Sequence, residues 1–260
     1  MKYAVLSLSG GLDSSSLLFH LLRKGYTVKC YSFDYNQKHQ VELERVKRQM
    51  AYINQFPTLA AHRVFWKTIE IADIFNESQS ALTSDTEVPQ GHYAEDNMKA
   101  TVVENRNAIF SAIIYSKALA WSKELDTDVD ICLGVHSGDH QIYPDCTPEF
   151  RDAINHAFKI GNWGSEKIHF NTPYMEGNKT TILMDLIRST EELGMDYNDI
   201  LSNTNTCYNP SVDGKSCGKC GSCIERVEAF INTGKKDPII YIDPWDVVVD
   251  HTKAVLEGPK

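Results

Sequence analysis

The sequence predicts an α/β fold built on a parallel sheet, and three observations carry that expectation. The apolar run YAVLSL (residues 3–8) ends at two glycines, and Leu17, Leu18, Leu21 and Leu22 then follow at helical spacing. Two further runs rich in β-branched and aromatic residues, TVKCYSFD (27–34) and VFWKTIEI (64–71), flank a charged helical stretch at 41–56. Strand and helix alternating in this way imply right-handed crossovers and strands that pair in parallel.

The remaining elements follow the same logic. Residues 76–104 are polar, hold Pro89 and Gly91 and show no periodicity, which predicts a long loop beside a site. A helix is expected at 107–125, with Ile109, Phe110, Ile113, Ala120 and Trp121 on its apolar side. VDICLGV (129–135) reads as a strand, 148–159 as a helix, 168–171 as a short strand, and 180–193 as a helix opened by Asn178 as its cap. A cysteine-rich segment, a short helix and the apolar tail PIIYIDPWDVVV close the chain, and the sequence does not name the tail's packing partner. Internal repeats and low-complexity tracts are absent from the sequence.

At 260 residues the chain can bury a full core, and its length favours one domain of ordinary size with a small appendage: residues 1–200, then a segment at 201–260 packed on it. The opening MKYAVLSLSG runs straight into the glycines and leaves no room for a secretory leader. No later apolar run reaches the ~18 residues of a membrane span, so a cytoplasmic location is expected. The net charge of −9 argues against broad attraction to nucleic acid and makes a small-molecule substrate the default.

The stretch LSGGLDSSSLL (8–18) reads as an anion cradle. Gly10 and Gly11 let the backbone turn sharply and come close to a ligand, while Ser14 and Ser15 place hydroxyls beside the free N–H groups of a helix start. The Gly-Lys-[Ser/Thr] ending of the common phosphate loop is missing, which counts against γ-phosphoryl transfer. The plain alternative is a flexible turn with Asp13 as a helix cap.

Cys207, Cys217, Cys220 and Cys223 supply four thiolates in one short window, with Gly214, Gly218 and Gly221 permitting tight turns. Cys30, Cys132 and Cys146 are scattered, and in a reducing compartment such clustering points to metal rather than disulfides. Structural zinc suits the donor set, and an iron–sulfur cluster is the rival reading.

SGGxDS after an N-terminal strand resembles the pyrophosphate loop of the N-type ATP pyrophosphatases, in which ATP is attacked at the α-phosphorus and pyrophosphate leaves. Together with the four-cysteine knuckle, SFDYNQKH (32–39, similar to FDYGQRH), IYPDC (142–146, similar to GYPDC) and TCYNPSVDGKSCGKCGSC (206–223) resemble the 7-cyano-7-deazaguanine synthase family over nearly the whole chain.

The resemblance implies an adenine nucleotide alpha hydrolase-like (HUP/Rossmann-like) fold with a C-terminal zinc-binding knuckle of four cysteines. It implies ATP with Mg2+, ammonia and 7-carboxy-7-deazaguanine as reactants. The acid would be adenylated and aminated to the amide, then activated by a second ATP and eliminated to the nitrile.

On the same resemblance, Leu8, Ser9, Gly10, Gly11, Leu12, Asp13, Ser14, Ser15, Ser16, Leu17 and Leu18 form the ATP loop, with Asp13 helping to organise magnesium. Lys179 would supply the late lysine, the alternative being a solvated surface residue. Arg106 and Asn107 match the family's GRN, where the guanidinium suits phosphate or carboxylate; an exposed helix start is the alternative for Arg106. Asp13, Ser14, Arg106 and Lys179 form the expected catalytic set. His39, Arg106, Asn107, Asp139, Tyr143 and Asp145 form the expected substrate set, with a carboxylate on the guanine-like edge and Tyr143 stacking; a structural turn at Pro144 is the alternative. His136 falls outside the set. Free ammonia and a homodimer are also implied.

The chain departs from the pattern at Asn36, which replaces a glycine, and at Glu104–Asn105, which replace Pro-Gly. Asn tolerates positive φ, so the backbone is expected to persist, while Glu104 adds negative charge near an anion site. An amide or a conjugated deazaguanine thus stays open as product. So do two other functions, a tRNA-modifying thiolase and a non-catalytic zinc-knuckle module.

Overall fold

Along β1 (Lys2–Ser7), Ala4 and Leu6 join one buried cluster and Val5 another, all three fully buried. A strand hidden on both faces requires a helical layer on each. In the computed structural model, which describes residues 1–57, 59 and 63–258, β1 is the middle strand of a five-stranded sheet of order β3-β2-β1-β4-β5. The others are β2 (Tyr26–Asp34), β3 (Val64–Glu70), β4 (Val129–Cys132) and β5 (Ile168–Asn171). Every pairing is parallel, with Leu6 opposite Cys30 on one side and Cys132 on the other.

The helices are α1 (Leu12–Arg23), α2 (Val41–Ile53), α3 (Arg106–Leu125), α4 (Pro148–Gly161), α5 (Lys179–Glu192), α6 (Tyr197–Leu201), α7 (Gly221–Thr233) and α8 (Trp245–Glu257). On one face α1 and α5 pack together over Ala4, Leu6, Val28 and Cys30. α3 covers the other face, setting Ile114, Tyr115, Ala118 and Trp121 against Val5, Val129, Ile131 and Ile168.

Ile109, Phe110, Ile113 and Trp121 pack where the apolar pattern suggests, but the buried stripe of α3 runs on beyond them. Ser111 and Ser122 lie in the buried stripe while Ala120 is exposed, because a stripe containing two serines blurs the hydrophobic period. β4 is also shorter than expected: pairing ends at Cys132, and Leu133–Asp139 turn away towards the site. The apolar tail becomes α8, whose Val248 is buried with Tyr241 against the cysteine segment, and α8 packs on α7.

Two helix starts follow from single polar side chains. Thr147 Oγ1 accepts from Phe150 N at 3.2 Å to open α4. Asn178 Oδ1 accepts from Thr181 N at 3.0 Å, and Thr181 Oγ1 accepts from Asn178 N at 3.0 Å, so a capping box fixes where α5 begins. The next residue, Lys179, is therefore held at the first position of the helix.

From β1 the chain winds outward through β2 and β3, then returns to lay β4 on the other side of β1. The carboxyl ends of β1 and β4 consequently splay apart and leave a crevice at the switch point.

Behind that crevice Arg226 of α7 is fully buried. Its Nε and Nη2 donate to Asp237 at 2.6 and 3.0 Å, and Nη1 donates to Thr204 and Thr206 at 2.8 and 3.1 Å. Removing one partner of such a pair strands the other charge. Arg226→Met is expected to lower unfolding stability by about 3–5 kcal/mol, measured by urea denaturation. The double variant with Asp237→Leu should lose less than the single; an equal or larger loss would contradict the pairing.

Candidate active site

Gly10 takes φ +96°, and a Cβ there would meet the Glu42 carbonyl oxygen at 2.5 Å. At Gly134, just past β4, a Cβ would meet Ser14 N at 3.0 Å. The absence of side chains at these two points lets the loop sit between α2 and the end of β4. Inside the loop, Ser14 Oγ accepts from Ser9 N at 3.1 Å and Gly10 N at 3.3 Å, and Ser9 Oγ accepts from Gly11 N at 3.1 Å. Three consecutive amides thus converge on hydroxyl oxygens, the arrangement that suits an anion.

Leu8, Ser9, Gly11, Asp13 and Ser14 line a cavity of about 210 Å3. Leu12, Leu17 and Leu18 instead lie in the core, Ser15 Oγ accepts from Gln49 Nε2 at 3.0 Å, and Ser16 Oγ donates to Leu12 O at 2.7 Å. Once α1 begins, successive residues rotate around its axis and most of this run faces inward. Gly10 stays outside the lining as well, its carbonyl accepting from Asn205 N at 2.9 Å.

Lys179, at the far end of the chain from the loop, reaches it. Its Nζ lies 2.9 Å from Asp13 Oδ2 and 3.0 Å from Glu225 Oε2, and its side chain is only 5% exposed. Burial alone would lower its pKa, but Asp13, Glu225 and Asp139 raise it on balance, so the ammonium is charged. Burial would likewise raise the pKa of Asp13, and Lys179 with His136 hold it below the usual carboxylate value. Asp139, by contrast, is pushed up by burial against the pull of His136 and Lys179. His136 is fully buried and its Nδ1 accepts from Gly138 N at 3.1 Å. Its Nε2 lies 3.6 Å from Asp139 Oδ2 and 3.9 Å from Asp13 Oδ2.

The rest of the cavity is aromatic. Phe33 and Phe110 stack with centroids 4.1 Å apart, and Arg106 Nη1 donates to Tyr35 OH at 3.2 Å. Tyr143 OH shares hydrogen bonds with Thr101 Oγ1 at 2.6 Å and Tyr208 OH at 3.2 Å, which fixes its ring at the wall. His39 is buried between Tyr35 and Tyr208, and burial together with Arg106 pushes its pKa down to about 3, so the imidazole is neutral. His39, Arg106, Asn107, Asp139 and Tyr143 all line the cavity, but Asp145 does not. Its Oδ2 accepts from Asn107 N at 3.1 Å and is spent on the first turn of α3.

Both asparagine replacements sit at left-handed backbone positions, Asn36 at φ +63° and Asn105 at φ +57°, where the tolerance of Asn preserves the turn. Glu104 is exposed, with Oε2 accepting from Ser78 Oγ at 2.5 Å, and lies outside the cavity lining. Its negative charge is therefore not inside the site.

Sequence reasoning passed over His136, Glu225, Glu42, Tyr35, Tyr93 and Tyr208, all of which touch or line this region. Glu225 had a usable signal, because it follows Cys223 by two residues at the start of α7. His136 had one too, at a strand end followed by Ser-Gly-Asp.

The four cysteines Cys207, Cys217, Cys220 and Cys223 bring their sulfurs within 4.8 Å of one another, with Cys217 and Cys223 3.9 Å apart. A tetrahedral ion with ~2.3 Å metal–sulfur bonds has edges of similar length, so the donors fit a metal. Cys217 N donates to Cys207 Sγ at 3.2 Å, and Lys219 N and Cys220 N donate to Cys217 Sγ at 3.4 Å, contacts that favour thiolates. Gly218, at φ +73°, lets the turn press on Val248.

Among the described residues no helix is long and apolar enough to cross a membrane. The family described as "Queuosine biosynthesis protein QueC" matches residues 3–234. The 7-cyano-7-deazaguanine synthase of Marinomonas sp. (strain MWYL1) is 41% identical over 244 residues, covering 92% of this chain and 97% of that one. That of Pseudoalteromonas atlantica (strain T6c) is 40% identical over 243 residues, covering 93% and 99%. Among solved structures, a 4-thiouridine synthetase in complex with RNA and ATP is similar at 14% identity and TM-score 0.45, over 96% of this chain and 53% of that one. A likeness at that level bears on neither activity nor substrate. The SGGLDS loop, the four-cysteine cluster and the match along nearly the whole chain lead to one conclusion: the chain belongs to the QueC family.

Proposed function

We propose that the protein converts 7-carboxy-7-deazaguanine, ammonia and ATP to 7-cyano-7-deazaguanine through an acyl adenylate, an amide and an imidoyl adenylate. The observation that carries the reading is Lys179, whose ammonium stands 2.9 Å from Asp13 at a loop that has no lysine of its own. A phosphate chain laid on the loop at Ser9, Gly11 and Ser14 would draw that ammonium to itself and leave as pyrophosphate. Activation is needed because a carboxylate oxygen is a poor leaving group and AMP a good one.

In this reading Ser14 and Lys179 hold the departing phosphates. Asp13, whose Oδ1 is buried without a partner, offers an oxygen to the magnesium that accompanies ATP. Arg106 pairs with the substrate carboxylate, Asp139 bonds the guanine-like edge, and Tyr143 with Phe110 walls the ring; Asn107 and His39 border the same space. The four cysteines hold structural zinc, since a closed thiolate set leaves no position for water. The chain then divides into a nucleotide-binding part at residues 1–200 and a zinc-binding segment at 201–260. A cytoplasmic homodimer drawing on free ammonia completes the proposal, on the strength of the family resemblance.

Two measurements test it. Purified protein given ATP, magnesium, ammonium and the carboxylated deazaguanine should yield the nitrile by mass spectrometry, and Asp13→Ala with Ser14→Ala should slow turnover by about 100-fold or more. Accumulated amide without nitrile would restrict the reaction to its first half, and an unchanged double variant would overturn the loop's role. Metal analysis should find one zinc per chain, lost in Cys217→Ser together with thermal stability; iron with visible absorbance would overturn the zinc assignment.

A further inference from the structure

Four carboxylates line the cavity, those of Asp13, Glu42, Asp139 and Glu225. Three have a close polar partner in the protein: Asp13 and Glu225 hold Lys179, and Asp139 accepts from His136 N at 3.4 Å. Glu42 differs. Its carboxylate accepts no hydrogen bond among the described residues, and His39 Nε2 stands 3.9 Å from it, beyond hydrogen-bond reach. His39 is itself neutral, and its Nδ1 is buried without a partner.

A carboxylate 10% exposed that lines the cavity and accepts no protein hydrogen bond is free for use by a ligand. α2 places it where that use can be. Glu42 stands in the first turn, its backbone carbonyl faces Gly10, and its Oε1 lies 3.8 Å from where a Cβ on Gly11 would stand. On its other side stands His39, which packs with Tyr35 and Tyr208. The carboxylate therefore lies between the phosphate loop and the aromatic end of the cavity, the span that an adenylated acid must bridge. Burial raises its pKa well above the usual value, against the pull of Arg106 and with Asp13 adding to the rise, which makes it a stronger base.

We propose that Glu42 is the general base of the two nitrogen-centred steps. This rests on the adenylation reading above and deepens it. In the first step the lone pair of ammonia forms the C–N bond, the C–O bond to AMP breaks with its electron pair on the phosphate oxygen, and Glu42 takes the N–H proton. In the second, Glu42 takes the N–H proton of the imidoyl adenylate, the electron pair of that bond becomes the remaining C–N π bond, and AMP leaves. Each proton passes to solvent between steps.

The test separates adenylation from amination in Glu42→Gln. Acid-dependent exchange of pyrophosphate into ATP should stay within about threefold of wild type, while amide and nitrile formation should fall about 100-fold or more. Hydroxylamine, which is unprotonated at neutral pH and nucleophilic enough to trap an acyl adenylate with solvent taking the released proton, should restore product as the hydroxamate. Retained exchange also shows that the variant is folded. Exchange lost in step with product would assign Glu42 to the adenylation machinery and overturn the proposal, as would unchanged amide formation or a hydroxamate yield as low as the amide yield. Wild-type protein without acid-dependent exchange would instead remove the adenylation reading, and this inference with it.

Discussion

A lysine ammonium taken out of water is stable only where anions replace its hydration shell, and Lys179 has that shell in Asp13 and Glu225. The pairing ties three distant stretches of chain to one point: the first turn of α1, the start of α5 and the first turn of α7. Any anion on the loop competes with Asp13 for the same ammonium. The cluster therefore braces the site and, in the proposed reaction, would supply positive charge to a phosphate chain.

The same constraint joins the cysteine knuckle to the cavity. Cys220 caps α7 and Cys223 lies in its first turn, followed by Glu225 on Lys179 and Arg226 on Asp237, Thr204 and Thr206. Asn205, between those two threonines, donates its N–H to Gly10 O at 2.9 Å. A metal that fixes the four sulfurs thus fixes the helix start that orients Glu225, and Arg226 carries the same constraint to the phosphate loop.

Much of this was legible in the sequence because the signals were local. Strand order aside, the alternation of residues 3–8 with the leucines of α1, the spacing of the cysteines and the cap at Asn178 each announce themselves within a few residues. On α3 the apolar side was legible at Ile109, Phe110, Ile113 and Trp121, whereas Ser111 and Ser122 occupy buried positions that hydrophobicity does not mark. The inward turn of Ser15, Ser16, Leu17 and Leu18 follows from helix rotation, which a contiguous motif conceals. Asp145 was drawn into the substrate set by proximity to Tyr143, whereas its carboxylate serves the α3 backbone. His136, Glu42 and Glu225 acquire meaning only when β4, α2 and α7 converge, since a lone acid or histidine has no periodicity to betray it.

The central claim is that the loop and Lys179 hold a diphosphate as a leaving group rather than transferring a terminal phosphoryl. Phosphorus NMR of the nucleotide products, taken during turnover with the deazaguanine acid and ammonium, addresses it directly. The account predicts AMP and pyrophosphate appearing in equal amounts and only when the acid is present. ADP and orthophosphate, or AMP formed equally well without the acid, would contradict it.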